Sequence, residues 1–580
     1  MEYKSWEVIT PEGTNEINFN LEKLLITVDD SGRHKGLLKA IANPLILMGS
    51  FERIIRNSGY YSKGVDNEIL TKVDRMFFTN LSREIGSGMY KPKPSRRIYI
   101  PKKDGSKRPL GISCSVDKIV QEAMRKILEL IYEPKFISCS HGFRPYKSCY
   151  TALNDYKMQF GSVSWIINLD IKKCFDNIDH HRLAKILKQN IEDRGFMDLY
   201  WKMVKAGYVF NGTCFKEKKG TPQGSIVSPI LANIYLHQLD LYMIKLKTEY
   251  DWGIWKRHNP AYRRKDKIIK TLRKLKIFRT MIADKNFRRL QYVRYADDFI
   301  IGLDGDKLSA LEIAQKASIF IKEYLKMEIK NNEVIGFKHK QTTFLGYIIR
   351  GCPLSNRSVK INSKGIYSTI NPRPKILFPM KRALMRLMEK GFVKRLKGNN
   401  FKGTALRKLI HHPLYNIIEY YNSVYRGIAN YYKICSFRAP LRNIHYILKS
   451  SCALTIALKM KLRTMHKTLK VYGRFLTIKE NNSKISFIKW DCWKKDKVIQ
   501  NVYDPLEEIR KFTSFTMRSK LINNEGCEVC GSYEDLQLHH INPRRNIKSE
   551  RNSLNYIKSA VIRKQKLLCR NCHSTIHRKR

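Results

Sequence analysis

The chain has 580 residues, and Lys plus Arg outnumber Asp plus Glu by 110 to 51, a formal net charge of +59. That length accommodates several domains, and so large a surplus of one sign works against folding and points to a polyanionic partner. No apolar run approaches the roughly eighteen residues of a membrane-crossing helix, and the cysteines, scattered apart from two C-terminal Cys-x-x-Cys pairs, fit a reducing compartment; a membrane protein and a disulfide-stapled secreted protein are both set aside.

Residues 1–34 read as a peripheral lead-in. Their acidic residues, such as Glu2, Glu12 and Glu16, and their lack of an apolar signal core or an Arg-rich, acid-poor transit pattern predict a bacterial cytoplasmic, nucleoid-associated protein rather than an organellar one. From Gly36 to Leu81 apolar positions such as Leu37, Leu38, Ile41, Ile54 and Ile55 recur at helical spacing. Arg96 to Ile112 then alternates through Ile98 and Ile100 to Asp104-Gly105, which predicts a hairpin. Lys102 and Arg108 on its arms can bracket a triphosphate, one as a point charge and the other as a fork; the same hairpin serves equally as a basic contact to a template backbone. A helical stretch from Val116 to Glu133 leads to Ser140-His141-Gly142-Phe143-Arg144-Pro145, where His141 reads as structural.

Trp165 to Leu169 reads as a buried strand that ends in Asp170. Gly220-Thr221-Pro222-Gln223-Gly224 forms a tight loop before a helix opened by Ser228-Pro229, and Gln223 offers a neutral amide to substrate or template. Residues 238–289 read as a basic insertion. Leu290 to Gly302 is a hairpin whose tip is Asp297-Asp298. An isolated Asp-Asp pair is ordinarily a surface turn, but two adjacent carboxylates repel unless a cation joins them. With the strand-end Asp170 beside them, these carboxylates suit two Mg²⁺ ions acting on a phosphoryl centre.

Tyr295-Ala296-Asp297-Asp298 with Asp170 resembles the palm of reverse transcriptases, and Asp170-Ile-Lys-Lys-Cys-Phe-Asp-Asn-Ile-Asp179 resembles the group II intron-encoded proteins. That resemblance implies Mg²⁺ held by Asp170, Asp297, Asp298 and the Ile171 backbone. It implies that Phe175 packs on the sugar of an incoming dNTP and excludes a 2′-hydroxyl. Pro222-Gln223-Gly224 matches a family motif, and Thr343-Phe344-Leu345-Gly346-Tyr347 resembles the primer-gripping element, in which Gly346 permits close backbone approach. Upstream of it Glu333-Val334 stands where relatives carry Lys followed by Thr or Ser.

Beyond the palm, Met380, Leu384, Leu387 and Met388 form an apolar helical stripe read as core, with Lys381, Arg382, Arg386 and Lys390 off it. Tyr421 to Tyr432 resembles the thumb, or maturase domain, of the same family, whose basic, tyrosine-rich surface implies binding to intron RNA and help in splicing. Residues 476–520, basic and irregular, stand where the family has a DNA-binding segment.

Cys527, Cys530, Cys569 and Cys572 supply the four thiolates of a structural Zn²⁺ site. His539, His573 and His577 can hold one divalent ion while His540 serves as general base. This tail resembles the HNH, or ββα-metal, nucleases, although Ile562 and Lys564 occupy the places of their Asn.

The expected architecture is multidomain α+β. A right-hand fingers–palm reverse transcriptase fold (35–350) is followed by an α-helical thumb/maturase domain (351–475), a DNA-binding segment (476–520) and a small zinc-stabilised HNH domain (521–580). The expected activity is RNA-directed DNA polymerisation and maturase function, with HNH nicking of the bottom DNA strand for target-primed reverse transcription. The expected partners are group II intron RNA, target DNA and dNTPs, with self-association into a dimer left open. An RNA-binding splicing cofactor without polymerase or nuclease activity is the rival expectation, and a standalone or defence-associated reverse transcriptase a second.

Overall fold

The protein is described from a computed structural model covering residues 26–70, 73, 75–101, 105–216, 219–221, 224–254, 287–337, 340–351, 359–361, 367–369, 373–396, 400–480, 483–491, 503–513, 527, 529–532, 536–541 and 565–578.

Its organising element is a four-stranded antiparallel sheet in the order Ile329–Gly336, Trp165–Ile171, Asp298–Asp304, Arg289–Tyr295. Each face covers a different core. Ile167, Leu169, Phe299, Ile301 and Leu303 enter one cluster with the N-terminal helices and the helix Ser228–Tyr250, while Ile166, Val293 and Ile300 enter a second with the C-terminal helices. The two central strands, Trp165–Ile171 and Asp298–Asp304, therefore read as nearly continuous apolar runs, whereas the edge strand Ile329–Gly336 is polar and largely exposed.

The first cluster also takes in the helices Leu37–Ala42, Pro44–Ile55, Arg75–Gly86 and Ser115–Tyr132, which pack on one another, while Ser228–Tyr250 and Lys307–Ile319 lie directly on the sheet. Pro44–Ile55 starts where a sequence reader would place it: Pro44 opens the helix, and the Asn43 side chain accepts from the Leu45 amide. The predicted basic hairpin is present as Ser95–Pro101 paired with Lys107–Ile112, Ile100 facing Arg108; Tyr208–Phe210 and Thr213–Phe215 extend it to four strands.

The basic insertion expected from residue 238 begins later. The helix opened by Ser228-Pro229 runs unbroken to Tyr250 and buries Leu239, Asp240, Met243 and Leu246. Residues 255–286 lie outside the described set.

On the second face, the hairpin Gln341–Phe344/Tyr347–Arg350 and the strand Lys375–Leu377 lead into helices Met380–Glu389, Leu414–Tyr431, Ala439–Lys459 and Met465–Tyr472. Tyr421 and Tyr425 are fully buried against Leu448 and Cys452. The stripe of the first helix shifts by one position: Ala383, Leu384 and Leu387 are buried, whereas Met388 is 39% exposed. Met388 follows Leu387 by one residue and so turns about 100° away from it toward solvent.

The segment 476–520 is less independent than its composition suggests. Leu476, Ile478, Ile485 and Phe487 join the core of these C-terminal helices, and Asn422 accepts from the Ile488 amide while donating to the Ser486 carbonyl. The helix Pro505–Thr513 then returns to the N-terminal helices. There Glu508 meets the fully buried Lys126 at 3.3 Å and accepts from the Tyr146 hydroxyl at 2.5 Å. A side chain at Gly49 would collide with the Phe512 carbonyl, so glycine is what lets this helix approach.

At the C-terminus, Leu536–His540 pairs antiparallel with Gln565–Cys569, followed by the helix Arg570–Arg578. Among the described residues no helix is long and apolar enough to cross a membrane.

Candidate active site

Sheet register places the carboxylates. Asp170 pairs with Asp298, and Asp298 closes the hairpin opposite Tyr295. The tip is therefore the two-residue turn Ala296-Asp297, with Ala296 at φ 56°, a left-handed conformation that costs a residue bearing Cβ about 1–2 kcal/mol. What holds the turn is a polar cage below it.

Arg294, fully buried, donates to both Asp240 oxygens at 2.7 and 2.6 Å, to Asn233 at 3.2 Å, to the Ser140 hydroxyl at 2.8 Å and to the Ala296 carbonyl at 2.9 Å. Asn233 in turn donates to the Gly142 carbonyl at 2.6 Å, and a Cβ on Gly142 would overlap the Ala296 backbone. Burial pushes the Asp240 carboxyl up, but the Arg294 charge and its hydrogen bonds outweigh that and hold it at about 2. Sequence reading missed this cage, although its signal was present: one charge of each sign, Asp240 and Arg294, sits inside an apolar element.

Above the cage, burial raises the Asp297 carboxyl and Asp170 raises it further. Burial likewise pushes Asp298 up to about 6, with Asp297 and Asp170 adding to the shift against a hydrogen bond from the Leu345 amide. Three ionised carboxylates at one point are under-neutralised, the condition that hard oxygen-bound cations such as Mg²⁺ relieve. Asp170 is half exposed, with the Lys330 ammonium 3.7 Å from it. Lys330 is the extra residue of a bulge between Ile329 and Asn331, which turns its side chain toward the site. Ile171 ends the same strand opposite Ile329, and Glu333 lies farther along, exposed and opposite Asn168.

These carboxylates open into a cleft of about 720 Å³ that Arg108 lines from the basic hairpin, Thr343 and Gly346 from the hairpin Gln341–Arg350, and Arg382, Arg386 and Tyr431 from the C-terminal helices. Arg382 and Arg386 stand one helical turn apart, so both guanidinium groups face the cleft. Phe175 lies on a short 3₁₀ turn after Asp170, its ring 6.2 Å from that of Phe143. The Phe175 carbonyl accepts from the Thr221 amide, and the Ile178 carbonyl accepts from Gly220, so the Gly220–Gly224 loop is fastened to the Asp170–Asp179 segment. Lys102 and Gln223 themselves lie outside the described residues. His141 is buried on Thr151 and Asp155.

Gly346 occupies the hairpin turn at φ 74° after Leu345 at φ 49°. Leu345 donates its amide to Asp298 at 3.1 Å and accepts at its carbonyl from the Tyr431 hydroxyl at 2.8 Å.

In the C-terminal module the sulfur atoms of Cys527, Cys530, Cys569 and Cys572 lie within 4.8 Å of one another, a set of soft donors suited to Zn²⁺. Burial works to raise the Cys527 thiol, but backbone amides of Cys569, Cys530 and Val529 pull it down to about 6. His539, buried, sets its ring 5.0 Å from that of His573, whose Nδ1 lies 2.8 Å from the Gln537 amide oxygen. His540 ends the first strand and His577 lies on the last helix; their side chains, with Ile562 and Lys564, lie outside the described residues.

Residues 100–349 match the family described as reverse transcriptase (RNA-dependent DNA polymerase), and residues 371–519 match type II intron maturase. The chain is 34% identical to the COX1/OXI3 intron 1 protein of Saccharomyces cerevisiae, an alignment covering 96% of this chain and 71% of that protein. It is 32% identical to the group II intron-encoded protein LtrA of Lactococcus lactis subsp. cremoris, covering 93% of this chain and 94% of LtrA.

Proposed function

The chain belongs to the group II intron-encoded proteins, which join a reverse transcriptase domain to an intron maturase domain, and from that premise we propose that it copies RNA into DNA and helps its own intron RNA to splice and move. The observation that carries the polymerase reading is the meeting of Asp170, Asp297 and Asp298 in the floor of an arginine-lined cleft. Pure RNA binding has no use for three crowded carboxylates, whose mutual repulsion costs stability.

Asp170, Asp297 and Asp298, with the Ile171 backbone, are the residues that would hold Mg²⁺. Bound there, the ions supply charge neutralisation of the attacking and leaving oxygens in nucleotidyl transfer. Arg108 offers a planar fork to the triphosphate, with Lys102 and Gln223 assigned beside it. Phe175, braced by Phe143 and by the loop fastened to its carbonyl, closes the sugar side against a 2′-hydroxyl. Arg382 and Arg386 meet the nucleic-acid backbone where it leaves the cleft, and Gly346 lets the primer strand approach the hairpin.

The basic outer faces of the thumb helices bind the intron RNA, and residues 476–520 contribute to binding target DNA. In the C-terminal module the four cysteines would hold a structural Zn²⁺. His539, His573 and His577 would hold a second divalent ion, with His540 assigned to take a proton from water during nicking of the bottom strand. The 3′-end so produced would prime synthesis.

Primer extension on an RNA template with dNTPs and Mg²⁺ tests this reading. Wild type extends, and Asp297→Ala abolishes synthesis while leaving intron splicing intact. Wild type that splices but never extends establishes the non-polymerising splicing cofactor instead; loss of splicing in Asp297→Ala refutes the separation of roles.

A further inference from the structure

We propose that Tyr431, the last residue of a maturase-domain helix, is a positioning residue for the polymerase: through the backbone of Leu345 it sets the orientation of Asp298, so that the seat of the RNA-binding domain governs nucleotide addition. This rests on the polymerase reading above and adds the route by which one domain acts on the other.

The chain of contacts is short and complete. The Tyr431 hydroxyl donates to the Leu345 carbonyl at 2.8 Å, and the amide of the same residue donates to Asp298 Oδ2 at 3.1 Å. One residue thus carries both bonds, in the left-handed region at φ 49°, a conformation that a branched side chain adopts only when its surroundings hold it. The carbonyl and the amide belong to the two peptide planes that meet at the Leu345 Cα, so movement of the tyrosine reaches the amide that faces the carboxylate through the φ and ψ of that one residue.

The tyrosine is itself held to the hairpin in return. The Tyr347 hydroxyl, one residue beyond the turn, donates to the Tyr431 carbonyl, and their rings stack with centroids 5.5 Å apart. Tyr432 makes a longer contact, 3.4 Å, to the Gly346 carbonyl. The end of the helix Leu414–Tyr431 and the turn Leu345-Gly346 therefore move as one body, in contact with Asp298. The remainder of that helix lies in the maturase core, where Tyr421 bonds to Ser451 and Thr455. A shift of the helix on binding RNA is thereby transmitted to the carboxylate.

The test is Tyr431→Phe in the full chain, which removes one hydroxyl and keeps the ring on Tyr347, with Tyr432→Phe as companion. Loss of one net hydrogen bond corresponds to roughly a three- to tenfold effect. Tyr431→Phe is expected to lower kcat for primer extension by that factor and to raise the Mg²⁺ concentration for half-maximal rate, leaving the dNTP KM and the affinity for intron RNA unchanged. Tyr432→Phe is expected to do less. Independently of activity, amide exchange across 341–347 should quicken in Tyr431→Phe while exchange across 439–459 stays at the wild-type rate.

Wild-type kcat and Mg²⁺ dependence in Tyr431→Phe overturn the proposal. So does a fall in extension matched by equal falls in RNA binding and melting temperature, or equal effects from both variants, since each marks a merely structural role. A wild-type protein that fails to extend primers at all overturns the polymerase reading instead, and this inference with it.

Discussion

Removing the carboxylate of Asp240 tests the cage beneath the Ala296-Asp297 turn. Asp240 and Arg294 are both fully buried and share two hydrogen bonds of 2.6 and 2.7 Å. In Asp240→Ala the guanidinium keeps its bonds to Asn233, Ser140 and the Ala296 carbonyl, but those groups are neutral and leave its charge uncompensated. Breaking a buried pair from one side costs about 3–5 kcal/mol, whereas replacing both partners with apolar residues of similar volume is nearly neutral or even stabilising. The double variant Asp240→Leu/Arg294→Met is therefore expected to be more stable than the sum of the single losses, though short of wild type because the Tyr292 hydroxyl, Asn233 and Ser140 lose buried partners. It does not recover the bonds that hold Ala296 at positive φ, so primer extension remains impaired. Chemical denaturation of wild type, both single variants and the double variant gives the coupling energy, and extension assays on the same proteins give the activity. A single-variant cost below about 1 kcal/mol, additive losses in the double variant, or a double variant that extends normally would each refute the cage.

Two further outcomes follow from the same site. Asp298, pushed up to about 6 mainly by burial, has a folded pKa above its unfolded one, so its ionised form weighs against folding at neutral pH and stops doing so below about pH 4. In chelator, Asp298→Asn should therefore melt higher than wild type at pH 8, with the difference vanishing near pH 4; a constant difference would contradict the assignment. Gly142→Ala should abolish primer extension, because the added Cβ meets the Ala296 backbone and not a side chain that can swing away; an active, stable Gly142→Ala protein would show that the turn has slack.

The sequence exposes chemistry that is packed into consecutive residues. Tyr295-Ala296-Asp297-Asp298 announces a turn and a charge problem together, and the two Cys-x-x-Cys pairs announce the four thiols that the fold brings within 4.8 Å of one another. Hydrophobic periodicity places the strands Trp165–Ile171, Arg289–Tyr295 and Asp298–Asp304 and the helical text of 36–81, 116–133, 228 onward and 380–390. What it hides is pairing over distance. Asp240 and Arg294 are 54 residues apart and can be matched only once the helix and the strand are placed in space. Read alone, the text after Leu236 looks like basic insertion, yet its apolar positions keep the helix going to Tyr250. Tyr431 reads as one tyrosine among several in a basic helix, and its partner is a backbone carbonyl that no side-chain pattern reveals. Met388 fails for the opposite reason: an apolar side chain at the edge of a stripe is free to remain in water.

The return of the helix Pro505–Thr513 to the fingers bears on how the protein is made. Lys126, fully buried, is neutralised by Glu129 close by on its own helix and by Glu508, 382 residues later. At a synthesis rate of about 5–20 residues per second, the ribosome takes roughly twenty seconds to a minute or more to deliver that second carboxylate. During this interval the fingers can collapse around Ile127 and Met124, but they do so with the Phe512 side of Gly49 uncovered and Lys126 short of one partner. The first domain to emerge is thus among the last to be finished. A chain released before Pro505 would lose more than its C-terminal residues, because it would carry fingers that never received their final helix.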